Sequence, residues 1–204
     1  MLHFDPARHT FHSPKLQSVV QDAVTFFNTT PAYPLPPGVQ AFGCGVYALY
    51  YKGDFPHYAA ISLANRQSCQ VPIYVGKAVA PGWRTARVSA SASADLTRRL
   101  GEHARSISQA DNLRVQDFMC RFMILEGIEG DLVVPVEAEL IRHYRPLWNS
   151  AVDGFGNHDP GSGRYDQARS EWDVLHPGRA WAERLRGQSP DLTRIVAKIR
   201  QVTG

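Results

Sequence analysis

Leu16, Val19, Val20, Ala23, Val24 and Phe27 recur at helical spacing, which lines them along one face of an α-helix. Ser13-Pro14 supplies its start, because a serine hydroxyl caps free N–H groups and proline tolerates the first helical position. The helix is predicted to run to about Phe27, behind a loose arm of residues 1–12. Pro31, Pro34, Pro36 and Pro37 then make an extended connector, since none of them can donate to a ladder or a helix. Gly45–Tyr51 (GVYALYY) is rich in aromatic and β-branched residues and predicts a strand. Val71–Val75 (VPIYV), closed by Gly76, predicts a second. Residues 52–70 are too many for a hairpin turn, so they form an inserted loop with some helix around Tyr58 to Ala64.

Past a stretch rich in Ala, Ser, Gly and Pro (78–94), a helix starts at Asp95, with Leu96, Leu100, His103, Ala104 and Ile107 on one side. Phe118–Leu125 alternates as a third strand, and Pro135 opens a helix that ends near Tyr144, before Pro146. Residues 149–164 read as a long loop, and the tail 165–204 as helical pieces broken at Pro177-Gly178 and Ser189-Pro190. The order α, β, β, α, β, α predicts an α+β fold: a small three-stranded antiparallel sheet flanked by helices, with helical decorations at both ends.

The 204 residues suffice for a single decorated domain. Its catalytic core is expected over residues 43–150, with an arm and helix in 1–42 and a loop and helices in 151–204. Hydrophobic residues at 44% and charged residues at 20% are ordinary for a globular chain. No apolar run is long enough to span a bilayer and the N-terminus lacks the pattern of a signal peptide, so a cytoplasmic location is expected. Cys44, Cys69 and Cys120 are too few and too scattered for a disulfide framework or a zinc clip. The net charge of +3 says little, but Lys77, Arg84, Arg87, Arg98, Arg99 and Arg105 cluster with only Asp95 and Glu102 against them. Such a basic stretch attracts a phosphate backbone.

Two tripeptides flank the first strand pair, Gly45-Val46-Tyr47 and Tyr74-Val75-Gly76. Arg99 and His103 follow on the next helix, four residues apart and so on one face. Glu137 then lies two residues after Pro135, and Asn149 closes Pro146-Leu147-Trp148-Asn149. In this order the residues resemble the GIY-YIG nuclease superfamily, with Val for Ile in both tripeptides. The wide gap between the tripeptides, PLWNSAVDGFGNHDPGSGR and EWDVLHPGRAWAE are similar to the GIY-YIG type II restriction endonucleases that cut CCGCGG. That resemblance implies a magnesium-dependent, site-specific DNA endonuclease that cuts double-stranded DNA and leaves 5-prime phosphate ends. It also implies a homodimer on DNA, because two-fold symmetry reads a palindrome and supplies two active sites. A cognate DNA methyltransferase is expected in the host. The alternatives are a homing or repair enzyme of the same superfamily, or a non-catalytic DNA-binding module on the same fold.

The chemistry assigns the roles. Hydrolysis of a phosphodiester needs an activated water, a cation on the phosphate and relief for the departing oxygen. Glu137 is a hard oxygen ligand suited to Mg, which accepts one or two carboxylates and keeps waters; a single carboxylate favours one metal ion. Arg99 offers a planar fork to phosphate oxygens. Tyr47 is the candidate general base or water-orienting group, but at a reference pKa of about 10 it needs help from His103, Lys77 or the metal. Tyr74 completes the network to the water or the phosphate, and Asn149 orients Tyr47 or Glu137. For DNA binding the candidates are Lys77, Arg84, Arg87, Arg98 and Arg105, with Arg84 and Arg87 as base readers, because arginine on guanine is the commonest specific contact. Asn157-His158 invites an HNH or zinc reading, which fails for want of a second His/Cys cluster at ligand spacing.

Overall fold

The computed structural model describes residues 4–39, 43–79 and 95–204. Its sheet has four strands: β1 (Ala32–Pro34), β2 (Gly45–Tyr51), β3 (Tyr74–Ala78) and β4 (Phe118–Ile124), in the order β1-β4-β2-β3. All neighbours are antiparallel. This corrects the three-stranded expectation. The connector's residues 32–34 lie along the outer side of β4, with Tyr33 opposite Cys120. The strand is short and ends on a proline, as an edge strand can. β3 also differs from the expected span, starting at Tyr74 and running through Gly76 to Ala78.

β2 is buried along its whole length, because both faces of the sheet are covered. On one face Val46, Ala48 and Tyr50 pack with Val75, Met123, the Val20/Val24/Phe27 stripe of α1 (Pro14–Thr29) and Val133, Val136 and Leu140 of α4 (Val133–Tyr144). Ser13 caps α1, its Oγ accepting from Leu16 N–H at 3.3 Å. On the other face Tyr47, Leu49 and Tyr51 pack with Leu96, Leu100 and Ile107 of α3 (Asp95–Gln109). The same cluster takes in the insertion and the tail through α2 (Ala59–Asn65), α5 (Leu147–Ser150), α6 (Glu171–Leu175) and α7 (Leu192–Thr203).

Two polar devices fasten these additions. The buried Asn65 accepts from Gln70 and Val71 N–H at 3.0 and 2.9 Å and donates to Tyr51 and Val71 carbonyls at 3.2 and 2.8 Å, closing the insertion at its neck. Trp148 donates to the Tyr58 hydroxyl at 2.9 Å, which pairs with His176 Nε2 at 2.6 Å, while His176 Nδ1 meets Asn112 Oδ1 at 2.7 Å. This chain joins the insertion, α5, α6's end and the segment after α3, with each of its four side chains paired.

β3 is the terminal strand of the sheet, and α5 closes its outer rim. Trp148 N–H donates to Ile73 O at 2.9 Å, and the Asn149 amide both accepts from Val75 N–H and donates to Val75 O, each at 2.8 Å. Helix α4 begins at Val133, two residues before Pro135. Proline is still allowed at its third position, because the first four N–H groups of a helix have no intrahelical partner. Glu137 therefore sits beyond the first turn.

Candidate active site

The strand alternation puts Tyr74 and Gly76 on the same face as Tyr47, with Lys77 and Val75 on the other. Tyr47 pairs with Gly76 across β2 and β3. Its ring lies over the glycine, so that a Cβ there would meet the Tyr47 hydroxyl oxygen at 2.6 Å. The missing side chain lets a fully buried tyrosine lean toward the outer strand. Its hydroxyl meets His103 Nε2 of α3 at 2.7 Å. Tyr74 crowds the same point, with ring centroids 6.4 Å from Tyr47 and 5.2 Å from His103.

Electrostatics hold this group uncharged. Burial, then the neighbouring Tyr74, pushes the Tyr47 phenol far up from its ordinary value. Burial also raises Tyr74, with the Glu137 carboxylate adding to it and Arg99 opposing. His103 is pushed down to about 3, first by burial and then by the charge of Arg99. At neutral pH the pair is thus a neutral phenol and a neutral imidazole with a lone pair to offer.

Arg99 lies one turn before His103 on α3. Its Nη1 donates to Glu102 at 2.7 Å and contacts His158 Nε2 at 3.0 Å. Glu102 also holds Arg98, at 2.6 Å. From the opposite face of the sheet, Lys77 of β3 makes an ion pair with Glu137 Oε2 of α4. Glu137 thus reaches the same outer strand that carries Tyr74, through the Lys77 ammonium on its other face.

The structure therefore brings Tyr47, Tyr74, Arg99, His103, Lys77 and Glu137 together around β3. Asn149 is placed differently from the expectation: its amide grips the Val75 backbone, between Tyr74 and Gly76, rather than either Tyr47 or Glu137. Lys77, expected on DNA phosphate, is committed to Glu137. Arg98 and Arg105 lie exposed on α3, while Arg84 and Arg87 lie outside the described residues.

Residues 40–203 match the family described as the Eco29kI GIY-YIG domain. The chain belongs to that family. It is thereby a GIY-YIG restriction endonuclease domain, a DNA-cleaving hydrolase by class. A comparison with individually curated proteins finds no match. Among the described residues of this GIY-YIG domain no helix is long and apolar enough to cross a membrane.

The Eco29kI-type match extends into the tail, and the site uses that tail. Phe155 stacks on His103 at 4.6 Å between centroids, with 20° between the planes, and meets Tyr74 edge-on at 4.9 Å. Arg179, buried with 1% of its side chain exposed, reaches back to the same loop. Sequence reasoning missed Phe155, His158 and Arg179. Their signal was indirect: PLWNSAVDGFGNHDPGSGR and EWDVLHPGRAWAE, which contain them, carried the resemblance, but the first read only as a long loop with a rejected zinc motif and the second as helical pieces.

Proposed function

We propose that the chain is a type II restriction endonuclease that hydrolyses double-stranded DNA at a GC-rich palindrome, CCGCGG, as a homodimer with a magnesium ion at Glu137. The observation that carries the hydrolytic reading is the convergence at β3. A neutral Tyr47–His103 pair, an arginine fork and a carboxylate reach one strand from three elements. The palindrome and the dimer rest on the likeness to CCGCGG-cutting relatives.

The donor set fits the metal. Lys77 holds one oxygen of Glu137, and the other has no hydrogen-bond partner among the described residues. Among those residues, no group of three His, Cys, Asp or Glu side chains forms a closed cage. One free carboxylate oxygen suits a cation that keeps most of its waters and binds through the substrate phosphate as well. A magnesium ion bound there supplies positive charge to the phosphate and the departing 3-prime oxygen.

The protein's own groups do the rest. Arg99 places its Nη groups on the phosphate oxygens and shields their charge. Tyr47 is too strongly held as a phenol to act as a phenolate. It accepts the proton of the attacking water as its own proton passes to His103 Nε2. Burial, and after it the charge of Arg99, hold His103 down in the free protein, and neutralising Arg99 with phosphate lifts the second of these, making the imidazole a better acceptor. Tyr74 orients the water or the phosphate from the same face. Asn149 keeps the backbone between Tyr74 and Gly76 in register. Attack at phosphorus with loss of the 3-prime oxygen leaves a 5-prime phosphate.

Incubation with a plasmid carrying one CCGCGG site, with magnesium or with EDTA and alongside Glu137→Ala, tests this. Magnesium-dependent linearisation at the site, lost in Glu137→Ala, is expected. Cutting elsewhere would discard the specificity. Binding without cutting by folded wild-type protein would turn the reading to a DNA-binding module.

A further inference from the structure

His158 is an exposed histidine at the mouth of the site, on the loop that follows α5. Its Nε2 is 3.0 Å from Arg99 Nη1. A guanidinium has donors only, so Nε2 accepts and the ring hydrogen sits on Nδ1. A loop residue reaches this position by being held there. Arg179, which follows α6 in the chain, provides the hold. Its Nη1 donates to Phe155 O at 3.1 Å and Asn157 O at 3.2 Å, and its Nη2 to Gly154 O at 3.0 Å. Its Nε donates to Asp173 Oδ1 at 2.6 Å. The guanidinium lies 4.5 Å from the Trp172 ring and 4.8 Å from the Trp181 ring.

We propose that His158 is a second ligand for the DNA phosphate bound by Arg99, and that Arg179 is the positioning residue that keeps it there. The proposal rests on the nuclease reading above. A buried arginine that spends its donors on three carbonyls of one short loop fixes that loop's backbone rather than the protein's surface charge. The loop's two projecting rings both end at the site: Phe155 covers His103, and His158 faces Arg99. When a phosphate oxygen takes the Arg99 donor, His158 loses its partner. Rotation of the exposed ring then presents Nδ1–H to the same anion. A hydrogen bond to a charged group formed this way strengthens binding about tenfold or more.

The test uses the full chain, a CCGCGG duplex, and two readouts. One is the Kd of the Glu137→Ala background in EDTA; the other is kcat and KM of the otherwise native enzyme in magnesium. His158→Ala is expected to weaken binding about tenfold without altering thermal unfolding, and His158→Gln, which restores a donor, to recover most of it. Arg179→Lys is expected to lose the same affinity, and the Arg179→Lys/His158→Ala double variant to lose little more, since both changes remove one contact. Trp181→Leu, a milder release of Arg179, should do likewise and serves if Arg179→Lys does not fold. Wild-type affinity and rate in His158→Ala would overturn the ligand assignment. Fully additive losses in the double variant would overturn the positioning role. A wild-type protein that neither binds nor cuts DNA would instead remove the nuclease reading beneath both.

Discussion

Tyr47 and Gly76 face each other across two strands, and the tyrosine hydroxyl oxygen lies within 2.6 Å of where a glycine Cβ would be built. The tyrosine is fully buried, with Tyr74 and His103 around it, so it has nowhere to retreat. The second tripeptide's glycine is therefore space reserved for the first tripeptide's tyrosine.

Gly76→Ala should push the Tyr47 ring off His103. Overpacking of this kind costs about 1–3 kcal/mol. Urea unfolding reads the stability, and cleavage rate should fall much further than stability does. An alanine variant with native rate would show that the ring has room to shift.

Asn149→Asp replaces the amide by two acceptors. The Val75 N–H keeps a partner, but the Val75 carbonyl now faces an oxygen. A buried polar group left unsatisfied costs about 1–3 kcal/mol, and supporting residues of this kind cost about 10–100-fold in activity. Thermal melting together with cleavage rates checks both, and a variant with intact melting and intact rate would contradict the role given to Asn149.

His103 and His176 are both pushed down to about 3, chiefly by burial, against about 6.5 in an unfolded chain. Between those values the unfolded chain takes up protons that the native protein refuses. Stability is complete above about pH 6.5 and is lost as the pH falls toward 3, by up to about 1.4 kcal/mol per unit for each histidine. Urea midpoints at a series of pH values should show this slope, and His176→Gln should reduce it. A flat profile across that window would contradict neutral burial of these rings.

Lys77→Met removes the ammonium from Glu137 Oε2. The carboxylate then has both oxygens for a cation, so half-maximal binding should occur at lower magnesium, measured by titration of metal into the protein. An unchanged midpoint would mean that Lys77 does not compete for the metal position.

The core elements were legible because their signals are local. The helical stripe of Val20, Val24 and Phe27, the unbroken GVYALYY strand and the i, i+4 pair Arg99 and His103 depend on neighbours in the chain, although Leu16 and Val19, expected on the same stripe, are exposed. The edge strand at Ala32–Pro34 was not, because its partner lies across the sheet at 119–121 and its prolines read as a connector. Helix α4 began early because Pro135 is tolerated anywhere in a first turn, which moved Glu137 deeper than the proline suggested. Asn149 was legible as lying beside the candidate site but not in its target: nothing in its surroundings announces a backbone segment at Val75. Phe155 and His158 belong to a loop with no periodicity, and what fixes it is a contact from Arg179, beyond α6, to residues 154–157 that no window along the chain contains.

A strand at the end of a sheet ordinarily offers its free N–H and C=O groups to any extended chain that passes, and proteins that keep such a rim open are prone to stick to themselves. Here Trp148 and Asn149 occupy the rim of β3 at Ile73 and Val75. The strand that carries Tyr74 and Lys77 is thus covered at Val75 while both of its faces remain in use, so a passing extended chain finds no free pair of backbone groups there to add to.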